Sequence, residues 1–471
     1  MKRVISLPAS GSLSGEIVVP ADKSIVHRSV MFNSLAKGNA RVSVPILGRD
    51  NLATIRIMRQ LGVGIDVQVP QALGEIASAE LAGDVTSSDT HECVLKISGA
   101  GIAGLKPPTD NLDCGNSGTT ARLMCGVLAG TDFSSTLDGD ASLRKRPFGR
   151  VTLPLSKMGA KFSGERLPLS VEGSELSALD YVSPIASAQV KSAILLAGLR
   201  ANGTVSVREP FLSRDHTERM LRAMGVDIKQ RLLPSGEWLS TLEPLKPGQE
   251  LRAIDLKVPS DISQAGFFLV AALLTPGSQV LIKNICFNPT RSGLFHVLRR
   301  MGAVIEVSHE RVLGGEDVVD LTVETSALRG VNVDPGEVVS CVDEIPILCV
   351  AAAAAKGTTR IDGIGELRVK ESDRVAMIES LLRRFGVKVS SGIQHIEVDG
   401  VGALTGLQPS ASAEQDWAHC GDHRILMSAA VLNLVCCGEA EVVDLAAIET
   451  SFPNFLDCFQ ELGCELQSTE D

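Results

Sequence analysis

The chain has 471 residues, 44% of them hydrophobic and 21% charged, which excludes a disordered protein and points to two or three folded domains. With a formal net charge of −11 and 3% aromatic residues, among them one Tyr and two Trp, it has neither the charge nor the rings of a nucleic-acid groove. The 11 cysteines are odd in number and form no CxxC pair, and neither a signal-peptide core nor an apolar run of about 18 residues is present, so a reduced, soluble, cytoplasmic protein is expected.

In chain order one pattern is read six times. From Val19 to Asp66 a polar loop leads into an apolar helix ending in Ala36-Lys37-Gly38. A strand (Ala40 to Val44), a second helix and Leu61-Gly62-Val63 follow. The same order runs from Cys114 to Phe162, closing on Met158-Gly159-Ala160, and from Ser183 to Ile228, closing on Met224-Gly225-Val226. It continues from Val258 to Ile305 (Met301-Gly302-Ala303), Val342 to Val389 (Phe385-Gly386-Val387) and Cys420 to Leu466 (Leu462-Gly463-Cys464). The glycine after each second helix suits a left-handed C-cap. Segments beyond it, such as Val387-Lys388-Val389, alternate as half-buried strands do.

Each first helix is apolar almost all round, as in Phe267 to Leu274, and so must be buried on every side. Its start, by contrast, is polar: Asp22-Lys23-Ser24, Gly115-Asn116-Ser117, Ser187-Ala188-Gln189, Ser260-Asp261, Asp343-Glu344 and Asp422-His423-Arg424. Helix N-termini gathered on one surface make an anion site, so function is expected there. Lys23 and Arg28 stand one turn apart at a helix start, where cations oppose the dipole and call for an anion. Asn116-Ser117-Gly118-Thr119-Thr120 reads as a cap with a glycine open to close approach, or simply as an ordinary cap. Ser142-Leu143-Arg144-Lys145-Arg146-Pro147 sets three cations before a proline suited to a first helical turn.

Ser213-Arg214-Asp215-His216 and Arg368-Val369-Lys370-Glu371-Ser372-Asp373-Arg374 precede or open second helices. The spacing of Lys370 and Arg374 predicts a shared helical face. Asp343 reads either as a structural cap or as an acid in the site. Cations interleaved with acids, without a phosphate loop, a dinucleotide fingerprint or a nucleophile elbow, suggest group transfer between small phosphorylated anions, with no metal and no cofactor.

These segments, from Asp22-Lys23-Ser24 with Arg28 to Asp422-His423-Arg424, resemble the signatures of the 5-enolpyruvylshikimate-3-phosphate synthase family over nearly the whole chain. The resemblance implies a two-domain, inside-out α/β fold with six repeats of a helix-strand-helix-strand unit, three per domain in pseudo-threefold symmetry. It places 1–20 with 259–471 in one domain and 21–258 in the other, with the active site in a cleft that closes on substrate. It implies a monomer that joins phosphoenolpyruvate to shikimate 3-phosphate on the route to chorismate and the aromatic amino acids. Carried over by motif, Lys23, Ser24, Arg28, Ser187, Ala188, Gln189, Arg214, Asp343 and Lys370 would bind shikimate 3-phosphate. Lys23, Gly118, Arg146, Gln189, Arg374 and Arg424 would bind phosphoenolpyruvate, and Asp343, Glu371 and Lys23 would be catalytic.

Three positions depart from the family pattern. Ala188 replaces a common second Ser, Arg214 lies where some members place a Tyr, and Thr450 stands where a Lys is frequent. A sister transferase acting on a UDP-amino sugar usually opens with Lys-Asn and carries a glycine-flanked loop Cys. This chain has Lys23-Ser24 and no such Cys. A catalytically dead anion-binding scaffold would have no use for Asp343 and Glu371.

Overall fold

The computed structural model describes residues 2–70, 85–88, 92–410 and 416–469. Two compact units are present, one of Ala21–Val258 with Leu313–Glu316, the other of Met1–Pro20, Pro259–Val312 and Asp317–Asp471. No helix among the described residues is long and apolar enough to cross a membrane.

The unit containing Ala21–Val258 holds three helix pairs. They are α1 (Lys23–Leu35) with α2 (Arg49–Gln60), α3 (Gly118–Ala129) with α4 (Gly149–Lys157), and α5 (Ala188–Gly198) with α6 (His216–Ala223). The odd-numbered helices are the apolar ones. Every residue of α1 from Ile25 to Leu35 is buried, as is every residue of α5 from Val190. Gly126 makes the α3–α5 contact possible, because a Cβ there would lie 2.2 Å from the Ala193 carbonyl oxygen.

Each pair lies on its own sheet, and all three sheets share one four-place order, to which the first adds Val85–Ser88 parallel to Gly64–Pro70 at its far edge. In the second sheet, Leu112–Asp113 runs parallel to Ser134–Asp138, which pairs antiparallel with Leu169–Glu172, itself antiparallel to Lys161–Phe162. In the third, Leu179–Val182, Val205–Glu209, Trp238–Leu242 and Ile228–Leu232 repeat that order. In the first, Ala36–Val44, Cys93–Ala100 and Gly64–Pro70 do so, and the parallel edge comes from Leu251–Arg252 and Leu256–Lys257.

The other unit repeats the scheme with α7 (Ile262–Leu274) and α8 (Gly293–Met301), α9 (Ile345–Ala354) and α10 (Arg374–Arg384), and α11 (His423–Cys437) and α12 (Phe455–Glu461). Helices α7, α9 and α11 contact one another, and all ten residues of α9 are buried. Burying helices inside and leaving one sheet face to solvent is the inside-out arrangement that their all-round hydrophobicity demands. The second helices are amphipathic instead. On α8, Leu294, Phe295, Val297, Leu298 and Met301 are buried, while Arg299 and Arg300 face out.

Ser14–Ile17 supplies the parallel edge of the α7–α8 sheet. The third sheet of this unit is closed by the start of the chain: Lys2–Ser6 lies between Glu439–Val442 and Glu465–Thr469, antiparallel to both. The sixth repeat therefore takes its last strand from residues more than four hundred positions away.

All six glycines that close the repeats have positive φ, from +75° at Gly386 to +111° at Gly159, as left-handed caps require. The first helix ends earlier than the sequence suggests. Helix α1 stops at Leu35, and Ala36-Lys37-Gly38 already belongs to a strand. The reason lies across the sheet at Gly99, opposite Gly38, where a Cβ would lie 2.3 Å from the carbonyl oxygens of Asn33 and Ala36. That bare backbone lets the sheet abut the helix end directly.

Candidate active site

In the unit containing Ala21–Val258, the candidate residues sit at or near the starts of helices. Asp22 caps α1, its Oδ1 accepting the Ile25 amide at 3.0 Å. Lys23, the first helical residue, pairs through Nζ with Asp50 in the first turn of α2, so a carboxylate answers the cation that the dipole disfavours. Ser24 is half-buried, and its carbonyl accepts from Arg28 Nη1 at 2.9 Å. Arg28 is 2% exposed and also donates from Nε to Thr217 Oγ1 at 2.7 Å and from Nη2 to Ser192 Oγ at 2.9 Å. Burial lowers its pKa to about 10, against the pull of Glu218 and Asp22. Of its five N–H groups, these bonds use three.

Behind this surface runs a buried polar chain. His27 Nδ1 lies 2.7 Å from Thr54 Oγ1, which lies 2.8 Å from Thr120 Oγ1, and the Thr120 hydroxyl donates to Ser117 Oγ at 2.7 Å. Burial, then the charge of Lys23, pushes the His27 imidazole down to about 3. The chain ends on the cap of α3, where Ser117 Oγ accepts the Thr120 amide at 3.2 Å.

Gly118 opens α3. A Cβ there would lie 2.8 Å from Arg122 Nη1 and 3.3 Å from Arg146 Nη1, so its missing side chain makes room for two guanidiniums. The three cations read in a row before Pro147 have separate fates. Arg144 is held by Asp138 through two bonds of 2.8 and 2.7 Å, Lys145 is exposed, and Arg146 donates to Asn116 Oδ1 at 2.7 Å. Pro147 lies outside both flanking helices, Ala141–Lys145 and α4, rather than in a first turn. At the start of α5, Ser187 accepts the Val190 amide at 3.5 Å, Ala188 is the first helical residue, and Gln189 Oε1 accepts from Arg122 Nη1 at 2.9 Å. Arg214 is half-buried on the loop before α6.

In the other unit, Arg374 is the centre. It is 1% exposed and donates to Asp422 Oδ2 at 2.8 Å, Glu371 Oε2 at 2.7 Å and Asp343 Oδ1 at 3.4 Å. Burial disfavours its charge, but the three carboxylates more than offset this and raise its pKa above the ordinary guanidinium value. Burial likewise opposes ionisation of Asp422, yet Arg374 keeps its carboxyl below the usual range. Asp422 also caps α11, accepting the Arg424 amide at 3.1 Å. Arg424 Nη1 donates to the Asp343 carbonyl at 3.1 Å, and Lys370 Nζ lies 3.6 Å from Asp343 Oδ1. The N-cap of α9 is Glu344, not Asp343, whose carboxylate faces cations.

Lys370, Glu371, Arg374, Asp343 and Arg424 are thus brought together, but not by the helical face expected for Lys370 and Arg374. Asp373 caps α10 at the Ala376 amide, so the helix starts at Arg374 and Lys370 lies outside it. Both cations meet at Asp343 instead. Thr450, in the position of a frequent Lys, donates its hydroxyl to the Ala446 carbonyl at 3.1 Å.

Sequence reasoning did not single out Arg122 and Asp50, and it named Glu344 only as part of the polar start of its helix. Glu344 accepts from Ser263 Oγ and lies 3.8 Å from Arg424 Nη1. Arg122 had a usable signal: it is the one charged residue in an otherwise neutral helix, one turn beyond Gly118.

The family model for EPSP synthase (3-phosphoshikimate 1-carboxyvinyltransferase) matches residues 7–459. A 3-phosphoshikimate 1-carboxyvinyltransferase of Pelobacter propionicus is 45% identical over 460 residues, covering 97% of this chain and 98% of that protein. One of Geobacter sp. (strain M21) is 45% identical over 450 residues, covering 95% and 96%. The solved EPSP synthase of Acinetobacter baumannii superposes with a TM-score of 0.80 at 37% identity, covering 99% of this chain and all of that one. With repeats, helix-start cations and full-length relatives in agreement, this chain belongs to the EPSP synthase family.

Proposed function

We infer that this chain transfers the enolpyruvyl group of phosphoenolpyruvate to the 5-hydroxyl of shikimate 3-phosphate and releases phosphate. Beside family membership, the observation that carries this reading is Arg374, a buried guanidinium held by Asp343, Glu371 and Asp422. Such a group, held in place by three carboxylates, can offer its charge and its remaining N–H to a substrate anion while staying next to acids that move protons.

The residues divide by chemistry. Lys23, Ser24, Arg28, Ser187, Ala188, Gln189, Arg214, Asp343 and Lys370 hold shikimate 3-phosphate, Ala188 through its backbone only. Lys23, Gly118, Arg146, Gln189, Arg374 and Arg424 hold phosphoenolpyruvate, and Arg122 joins them beside Gly118. The reading requires residues of both units to act on the same two substrates.

The substrate hydroxyl oxygen bonds to C2 of phosphoenolpyruvate as its proton leaves and a proton is added at C3. This gives a tetrahedral adduct carrying a methyl group. Loss of a C3 proton as the C2–O bond to phosphate breaks restores the double bond. Net, the hydroxyl proton departs with the phosphate. Asp343 and Glu371 are the proton-transfer pair, and Lys23 stabilises negative charge on both substrates.

The test is phosphate release measured with both substrates and with each omitted. Release only when both are present, with the enol ether as co-product, is expected. Release with a UDP-amino sugar in place of shikimate 3-phosphate, and none with the latter, would overturn it.

A further inference from the structure

We propose that Lys191 is a positioning residue for shikimate 3-phosphate, aiming Arg214 through a buried ion triad that grips Ser213. The proposal rests on the reading that Arg214 contacts that substrate. Lys191 lies in α5, two residues after Gln189, and its Nζ is 3.0 Å from Glu209 Oε1 and 2.9 Å from Glu218 Oε1. Lys191, Glu209 and Glu218 are 1%, 1% and 0% exposed, so the triad is out of water. Removing three charges from solvent is expensive, and an apolar cluster of the same volume is often at least as stable. Stability alone therefore gives little reason for the triad.

Its contacts suggest what it does. Glu209 Oε1 accepts the Ser213 amide at 2.6 Å, Glu209 Oε2 accepts the Ser213 hydroxyl at 3.0 Å, and Lys191 Nζ donates to the Ser213 carbonyl at 3.1 Å. Every polar atom of Ser213 is thereby held by the triad, and the residue is 3% exposed. Because peptide groups are planar, fixing the amide and the carbonyl of Ser213 fixes the planes on both sides of it. The second plane contains the amide nitrogen and Cα of Arg214. The long Arg214 side chain thus leaves a loop whose preceding peptide plane is held, which limits the backbone entropy lost when it meets an anion. Gln230 Nε2 and Ser240 Oγ donate to Glu218 Oε1 at 3.0 and 3.2 Å, tying the far end of the triad to the sheet.

The experiment compares three variants with Arg214→Ala and with each combined with it. Lys191→Met strands two buried carboxylates. Lys191→Met/Glu209→Gln/Glu218→Gln removes the charges together. Ser213→Gly keeps the three charges and their bonds to the amide and carbonyl, but it removes the hydroxyl bond to Glu209 and the Cβ that restricts this backbone, so the loop is loosened with the triad in place. For each variant that melts cooperatively, kcat/KM for shikimate 3-phosphate should fall about 10- to 100-fold through KM, with KM for phosphoenolpyruvate unchanged. Once Arg214 is Ala, the same changes should cost nothing further. Unaltered KM for shikimate 3-phosphate in Ser213→Gly, or effects that add in full to Arg214→Ala, would overturn the proposal. If Arg214→Ala alone leaves that KM untouched, the reading of Arg214 as a ligand fails instead.

Discussion

His27 gives a prediction whose size follows from its surroundings. It is fully buried on α1, its Nδ1 against Thr54 and the Lys23 ammonium on the same helix, and its pKa falls from 6.5 to about 3. Between those values the unfolded chain binds a proton that the native imidazole refuses, so stability falls as the pH is lowered through this window. Above 6.5 the ring is neutral in both states and contributes no slope. The slope inside the window is about 1.4 kcal/mol per pH unit. Lowering the pH from about 6.5 to about 4.5 should therefore remove about 2 to 3 kcal/mol through this residue.

The comparison is His27→Gln, whose amide can still bond Thr54 but does not titrate. Every other group then titrates alike in the two proteins, and their difference isolates the imidazole. Urea unfolding should be followed by Trp238, in a strand of the same unit, with Trp417→Phe to silence the other indole. The wild-type advantage should shrink steadily on acidification. A difference that stays constant over this range would refute the account, because it would mean that the ring protonates in place.

Two further outcomes follow from the site. Asp343→Asn and Glu371→Gln should each lose turnover by about 100- to 10,000-fold while binding both substrates nearly as well, as single-turnover rates beside binding titrations would show; near-wild-type rates with lowered melting temperatures would return both residues to a structural role. Gly118→Ala places a methyl 2.8 Å from Arg122 Nη1, which must move, so KM for phosphoenolpyruvate should rise about tenfold or more while that for shikimate 3-phosphate changes little; equal effects on both would show that α3 as a whole had shifted.

What could be read from the sequence was what depends on neighbours in the chain. The core helices were legible because a segment like Ile345–Ala354 is apolar at every position, and the closing turns because each needs a positive φ. The candidate residues were legible as cations and acids at helix starts. Their partners were not. Asp50 answers Lys23 from the next helix, Arg122 reaches Gln189 from 67 positions away, and Glu344 meets Ser263 across 81. Lys370 and Arg374 show the converse failure: they do meet, at Asp343, but not on the shared helical face that their spacing predicted, because Asp373 caps the helix between them. The strand Lys2–Ser6 carries no local sign that it belongs with Glu465–Thr469.

That last pairing governs the order in which the molecule can be made. The unit built on Ala21–Val258 is nearly continuous in the chain and has its three sheets to hand once Lys257 has emerged. The other unit owns Lys2–Ser6, which has no partner strand until Glu439–Val442 arrives and only half its pairing until Glu465–Thr469 follows. At roughly 5 to 20 residues per second, that strand waits from about twenty seconds to a minute and a half with its ladder unpaired. During the later part of that interval α7 and α9 exist without α11 to cover them, and their exposed apolar faces are what a holding chaperone binds. A ribosome-bound nascent chain stalled before α11 would therefore leave the apolar faces of α7 and α9 uncovered.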